Sequence, residues 1–329
     1  TGVQTCALPI LELARVRMEP AVPDDDAIQE AKRDVLQSCI YGVDLNPMAV
    51  ELAKVSLWIN AMVKDKPLNF LDHHIKCGNS LIGATPELIA QGIPDGAFDV
   101  VTGDDKKVAK YFKDINQKQR KGTLDKWSKK AQSGYAEEFA RLSEMDEDSV
   151  KGVVDKCRAY HKLKDIEEFR RKKLEADAWT AAFFLPLNDT RSLMPTTGEV
   201  ARLGREGVSD DALTKQVDAL AKKYRFFHWH LEFPEVFAAG GFDVILGNPP
   251  WEKIQSTYLL KLQMKPMQLR EKQKLIDLRI ITQNCLSFGL NTRKKSNYKA
   301  NLLLRAIDVL YQQKAILIYI GSLQILREN

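Results

Sequence analysis

The sequence predicts an α/β fold: a mostly parallel β-sheet with helices on its faces, interrupted by a large helical insertion. Three observations predict it. Short apolar runs at Ile40–Asp44, Ile75–Cys77 and residues 242–246 each end in a polar or glycine-bearing turn. The segments beside these runs carry apolar residues at helical spacing. Residues 104–223 then change to a charged, helix-forming composition. Strands alternating with helices on both sides of such a segment are the pattern of a parallel sheet, whose crossovers must lie on its faces.

The elements follow in order. Residues 1–10, Thr-Gly-Val-Gln-Thr-Cys-Ala-Leu-Pro-Ile, match one frame of a common sequencing-adapter oligonucleotide and are expected to be foreign to the protein. Residues 11–18 and 27–39 read as helices broken by Glu19-Pro20 and the Pro23–Asp26 cluster. Ile40–Asp44 is a short buried strand ending in an acid. Asn46-Pro47 opens a helix, with Asn as cap and Pro in the first turn, and Val50, Ala53, Leu57 and Ala61 facing a core. Ile75–Cys77 is a second strand, entering Gly78-Asn79-Ser80-Leu81. His73-His74 has no ligand spacing and reads as a loop or strand edge. Turns are expected around Gly122 and Gly134 and between Pro186 and Gly207. Residues 226–237 are densely aromatic and lead into the strand at 242–246. Beyond Trp251 the readable elements are a helix at 301–312 and a buried strand at 315–320. The domain expectation is residues 11–103 and 226–329 as two parts of one sheet domain, with 104–225 inserted between them.

Composition narrows the function. The chain has 329 residues, 44% of them hydrophobic and 28% charged, and no run approaches the roughly 18 apolar residues of a membrane span. Cysteines 6, 39, 77, 157 and 285 lie far apart with no Cys-x-x-Cys, which suits a reducing, cytoplasmic setting and no structural metal. The net charge of +5 is uneven: residues 253–329 hold 14 Lys/Arg against 4 Asp/Glu. Residues 106–130 hold ten Lys/Arg against two Asp/Glu. Each run is either a solvated face or a contact for a polyanion.

Ligands of such sheets sit beyond the carboxyl ends of the strands, and three strand ends carry useful groups. Asp44 can accept both hydroxyls of a ribose, or can simply cap the following helix. Gly78-Asn79-Ser80-Leu81 offers close backbone approach and an amide able to read an adenine edge. Asn248-Pro249-Pro250-Trp251 is the most specific signal. Its two prolines fix φ and remove two backbone donors, so the turn presents carbonyl oxygens beside the Asn side chain and the Trp ring. Two acceptors beside a flat apolar face can take the two hydrogens of a planar amine and direct its lone pair outward, with the sulfonium of S-adenosylmethionine as driving force. A rigid turn with a buried Trp is the structural alternative.

Asn-Pro-Pro-Trp after an apolar strand resembles the catalytic motif of amino-group methyltransferases. The ordered set Gly42–Pro47, Ser56-Leu-Trp58, Lys76–Gly83, Trp229–Phe237 and Gly241–Trp251 resembles the adenine-specific DNA methyltransferases of type II restriction–modification and related phage-defence systems, in their type IIG-like Asn-Pro-Pro-Tyr/Trp branch. The resemblance implies a class I S-adenosylmethionine-dependent, Rossmann-like fold. It also implies cofactor contacts from Asp44, Leu45, Asn79, Ser80 and Asn248, with Asn79 where many relatives carry Asp. Asn248 and the Pro249 carbonyl would accept from the target amine, Pro250 would stiffen the turn, and Trp251 would stack on a flipped adenine. Double-stranded DNA is the implied partner, with restriction or defence subunits beside it, and the basic insertion and tail would contact phosphate. The family's Gly-rich cofactor loop belongs just upstream of Leu11, so this chain is expected to be an incomplete sheet, inactive alone. An N-methyltransferase acting on protein glutamine or RNA, or a non-catalytic DNA-binding module, are the other classes.

Overall fold

The computed structural model describes residues 14, 22, 24–100, 103–127, 135–189, 193–207, 211–242, 244–246 and 317–320. The expected elements at 11–18, apart from Ala14, and at 301–312 lie outside the described residues, as do residues 1–10 and 248–251.

Helix α1 (Asp25–Ser38) starts two residues earlier than expected, because the Asp24 side chain caps it by accepting from the Ala27 amide (2.8 Å). The next three elements follow the sequence closely. Strand β1 is Ile40–Asp44 and helix α2 is Pro47–Asn60, capped by Asn46, whose Oδ1 accepts from the Met48 amide (3.0 Å). Strand β2 is Ile75–Cys77 and pairs with β1 in parallel, Asp44 opposite Cys77. One face of these strands buries Ile40 and Ile75 under α1 and α2 through Val35, Leu36, Val50 and Ala61. The Trp58 indole donates to the Asn69 carbonyl (2.8 Å), tying α2 to the segment ahead of β2.

The sheet order is β2-β1-β4-β3, with β3 at Val244–Leu246 and β4 at Leu317–Ile320. Strand β4 pairs antiparallel with both β1 and β3. It follows that β1, β2 and β3 run in one direction and β4 alone opposes them, in the middle of the sheet. The expectation of a mostly parallel sheet needs that correction. An apolar run looks the same in either direction, so periodicity carries no sign for β4.

The described part of residues 106–224 is mostly helical, as composition suggests: α3 is the short Pro86–Ala90 ahead of it, then α4 (Lys106–Trp127), α5 (Tyr135–Ser143), α6 (Val150–Lys164), α7 (Glu167–Ala181), α8 (Thr197–Glu206) and α9 (Ala212–Tyr224). Of the expected turns, that around Gly134 lies outside the described residues and that at Gly122 does not occur. Helix α4 runs through Gly122, whose helix cost of about 1 kcal/mol is small beside twenty-one other helical residues. The Pro186–Gly207 stretch does interrupt the helices, at residues 186–189 and 193–196, before α8 forms and ends at Gly207, with φ +83°. These helices enclose a core around Trp179, Phe98, Leu142, Leu187 and Val200.

His73 and His74 do lie in a turn ahead of β2, but they are fully buried, and desolvation pushes His74 down to about 3. At short helices α10 (Trp229–Glu232) and α11 (Pro234–Ala238), Trp229, Phe233 and Val236 pack into one cluster with Tyr41 and Val43 of β1, and buried charge joins α10 to β2. Lys76, a lysine in a three-residue buried strand, hydrogen-bonds the Glu232 carbonyl and lies 3.1 Å from Glu232 Oε2. Burial alone would raise the Glu232 carboxyl, but Lys76 and Lys164 hold it at about 2. Glu235 has the opposite fate: burial pushes it up to about 7 against the pull of Lys76.

An acid whose folded value is raised binds its proton more tightly in the fold. The Glu235 contribution is therefore complete below about 4.5, its ordinary value, and is lost as pH rises through about 7. Denaturant unfolding should show stability falling across that interval, and Glu235→Gln should flatten the slope. An unchanged slope in the variant would refute the assignment.

Candidate active site

Strands β1 and β2 release the chain at one edge of the sheet, and β3, running the same way, ends at that edge too. At the end of β1 the half-buried Asp44 turns the chain: its Oδ1 accepts from the Asn46 amide (2.6 Å) and its carbonyl accepts from the Gly78 amide (2.9 Å). The helix cap is Asn46, so Asp44 is not the cap that the sequence left open. Leu45 follows, 53% exposed.

After β2 the loop from Gly78 to Ala84 is bolted to the segment Arg225–Trp229. The Asn79 amide donates to the Arg225 carbonyl (2.7 Å), the Phe227 amide to the Ile82 carbonyl (2.8 Å), and the Trp229 indole to the Ser80 carbonyl (2.9 Å). Asn79 and Phe226 form a parallel β-bridge. His228 closes the set. Its Nδ1 accepts from the Ala84 amide (3.0 Å), so the ring proton sits on Nε2 and is donated to Asp177 Oδ1 (2.9 Å) on α7. Burial would raise the Asp177 carboxyl, but bonds from His228 and Lys173 hold it below the ordinary carboxylate value.

Gly78 and Gly83 make this approach possible. A Cβ on Gly78 would strike the Phe227 ring, and one on Gly83 would overlap the Phe227 carbonyl. The loop therefore has little freedom. Asn79 and Ser80 are half-buried in it, and Asn79 Oδ1 is engaged by the Leu81 amide (3.2 Å), while its Nδ2 makes no hydrogen bond among the described residues. Arg225, in the left-handed region (φ 53°), reaches across the strand ends, donating to the Leu45 carbonyl and lying 3.0 Å from Cys77 Sγ.

Asp44, Leu45, Asn79 and Ser80 are thus brought to one edge; Asn248, Pro249, Pro250 and Trp251 lie outside the described residues, in the chain that follows β3. A carboxylate and an amide donor beside an exposed leucine can hold a group with adjacent hydroxyls and a heteroaromatic ring. Among the described residues no three or more His, Cys, Asp or Glu are grouped to hold a metal, and no described helix is long and apolar enough to cross a membrane. Sequence reasoning missed Arg225, Phe227, His228 and Asp177 as the supports of the loop. The aromatic density of 226–237 was a signal for Phe227, whereas nothing in the α7 sequence marks Asp177.

Gly83→Ala should destabilise the chain by about 1–3 kcal/mol or more, since rigid backbone cannot yield to the new methyl. Gly96→Ala, whose Cβ would meet only Asp99 Oδ2 at 3.9 Å, is the control. Equal thermal midpoints for the two variants would show that the loop is not clamped.

The model of the Eco57I restriction-modification methylase family matches residues 38–146 and 185–279. The chain is also 25% identical, over 259 residues, to a Methanocaldococcus jannaschii protein named as a candidate type II restriction enzyme and methyltransferase. The aligned region covers 70% of this chain and 19% of that protein, so the chain spans about a fifth of its relative's length. No solved structure matches.

Proposed function

The chain belongs to the Eco57I restriction-modification methylase family, and from that premise we propose that its parent protein methylates the exocyclic N6 amine of adenine in double-stranded DNA. The observation that carries the reading is the convergence of three strand ends. Asp44, the clamped Gly78–Ala84 loop and the carboxyl end of β3 share one edge, and Asn248-Pro249-Pro250-Trp251 follows β3 directly in sequence.

The residues present fit S-adenosylmethionine. The Asp44 carboxylate has one oxygen spent on the Asn46 amide and the other without a hydrogen bond among the described residues, suited to ribose hydroxyls. Asn79, with its Oδ1 engaged, would donate to an adenine ring nitrogen, and Leu45 and Ser80 would flank it. When bound, S-adenosylmethionine supplies a methyl group made electrophilic by its sulfonium. This chain's residues do the rest. Asn248 Oδ1 and the Pro249 carbonyl accept the two hydrogens of the target amine, which keeps its lone pair out of the ring and aims it. Pro250 holds that carbonyl still, and Trp251 stacks on the extruded base, offsetting the loss of duplex stacking. The neutral amine would attack through the lone pair so aimed and needs no separate base beforehand; the proton of the resulting cationic nitrogen would pass to water. A restriction or defence assembly is the setting we propose.

In the full-length parent, Asn248→Ala should abolish methylation of DNA measured with labelled S-adenosylmethionine, while DNA binding persists. Asp44→Ala should raise KM for S-adenosylmethionine at least about tenfold, the value of one lost charge-assisted pair of bonds. Undiminished methylation by Asn248→Ala would sink the site; an unchanged KM in Asp44→Ala would remove Asp44 from it.

A further inference from the structure

Helix α4 carries a surface that the methylation site does not use. Its inner face is fixed. Buried Asn116 donates to the Ile93 carbonyl (2.7 Å) and accepts from both the amide (2.9 Å) and the hydroxyl (2.8 Å) of Thr197, so α4 is locked to α8 and to the loop ahead of it. On the outer face Lys107, Lys110, Lys118 and Lys121 are all exposed. None of the four forms an ion pair among the described residues, in contrast to Lys113 with Asp99 and Arg120 with Asp95. Asp114 is the one acid among them. The spacing 107, 110, 114, 118, 121 keeps the group on one stripe, about 21 Å long at 1.5 Å per residue.

The next stripe round the helix is different in kind. Tyr111, Ile115 and Gln119, each one turn apart, line a cavity of about 380 Å³ together with Phe112, Met194 and Leu213. Tyr111 stands at the boundary, one turn after Lys107 and two turns before Lys118, and is 47% exposed. The polar side of the cavity is Arg202, held by Glu199 Oε2 (2.9 Å), Glu206 Oε2 (2.9 Å) and Asp211 Oδ2 (3.2 Å). Asp211 Oδ1 already accepts from the Thr214 amide (2.6 Å), so Glu199, bound to Arg202 through Oε2, supplies the acceptor on that side.

A row of free lysines alone would suit any polyanion. A row of lysines sharing a helix with an aromatic-rimmed, half-polar cavity suits a strand of nucleic acid with one base out of the stack. The phosphates lie along the lysines, the base stacks on Tyr111, and an amino hydrogen meets the Glu199 carboxylate inside. We propose that this face of α4 is a second nucleotide site, which holds an unpaired or extruded base of the DNA strand apart from the base that is methylated. The proposal rests on the reading of DNA as substrate, but its readout is binding, so it can fail while methylation stands.

The test uses full-length parent protein and two labelled DNA oligonucleotides: a fully paired duplex, and the same duplex with one unpaired base. Binding is followed by fluorescence anisotropy over a range of salt. Lys107→Gln with Lys118→Gln should weaken both and reduce the salt slope by about 0.9 per lost phosphate contact. Tyr111→Ala should weaken only the DNA with the unpaired base, by about fivefold or more. All three positions are exposed or half-exposed, so melting curves should match those of the unmodified protein. An Asn248→Ala background should leave these differences intact. Equal affinity for the two DNAs, a Tyr111→Ala effect on both alike, or an unchanged salt slope would overturn the proposal. An RNA of the same sequence that outcompetes the DNA would overturn the choice of partner.

Discussion

The whole carboxyl edge of the sheet depends on the joint between Gly78–Ala84 and Arg225–Trp229. Two backbone bonds, an indole bond and a histidine bond hold a loop that would otherwise be an ordinary glycine turn. Each is worth about 1 kcal/mol net, yet breaking one strands a buried partner at greater cost. The joint also explains why the two motifs must travel together: the glycines are small because Phe227 lies against them, and Phe227 can lie there only because they are small. A site that must keep acceptors and donors within a fraction of an ångström needs such support more than it needs extra ligand contacts.

Charge beneath the sheet extends the same logic. Lys76 ties β2 to α10, Lys164 brings α6 to the same carboxylate, and Lys156 with Glu147 (2.5 Å, almost fully buried) fastens α6 to the segment ahead of it. Buried pairs of this kind add little to stability relative to apolar replacements, while loss of one member costs several kcal/mol. Their effect is to allow one arrangement of helices against the strands. Glu235 and Tyr41, facing each other under β1, are the cost of that arrangement: burial raises both groups above their ordinary values.

Local chemistry made much of this legible in advance. Ile40–Asp44, the Asn46 cap, Pro47 and Ile75–Cys77 were readable because a cap, a proline and a short apolar run act within a few residues of themselves. The gathering of Asp44, Leu45, Asn79 and Ser80 on one edge was readable for the same reason, through strand direction. What could not be read were choices made at long range. Gly122 looked like a stop, yet its neighbours' helix propensity overrode it. His73 and His74 gave no sign of their burial, which is settled by packing against Tyr41, Phe70 and Tyr160. The partnership of His228 with Asp177 spans fifty-one positions and has no periodic signature.

The direction and place of β4 bear on how the chain is assembled during synthesis. Ile40 pairs with Ile320 and Val43 with Leu317, while β3 reaches β1 only through that same strand. At roughly 5–20 residues per second, β1 waits some tens of seconds on the ribosome before its central neighbour exists. The helices at 106–224, built from near-neighbour contacts, can condense in that interval. The half-made sheet, meanwhile, presents an open edge to other nascent chains. Order of emergence, rather than final stability, then decides whether the polypeptide reaches its proper partner strand or a stranger's.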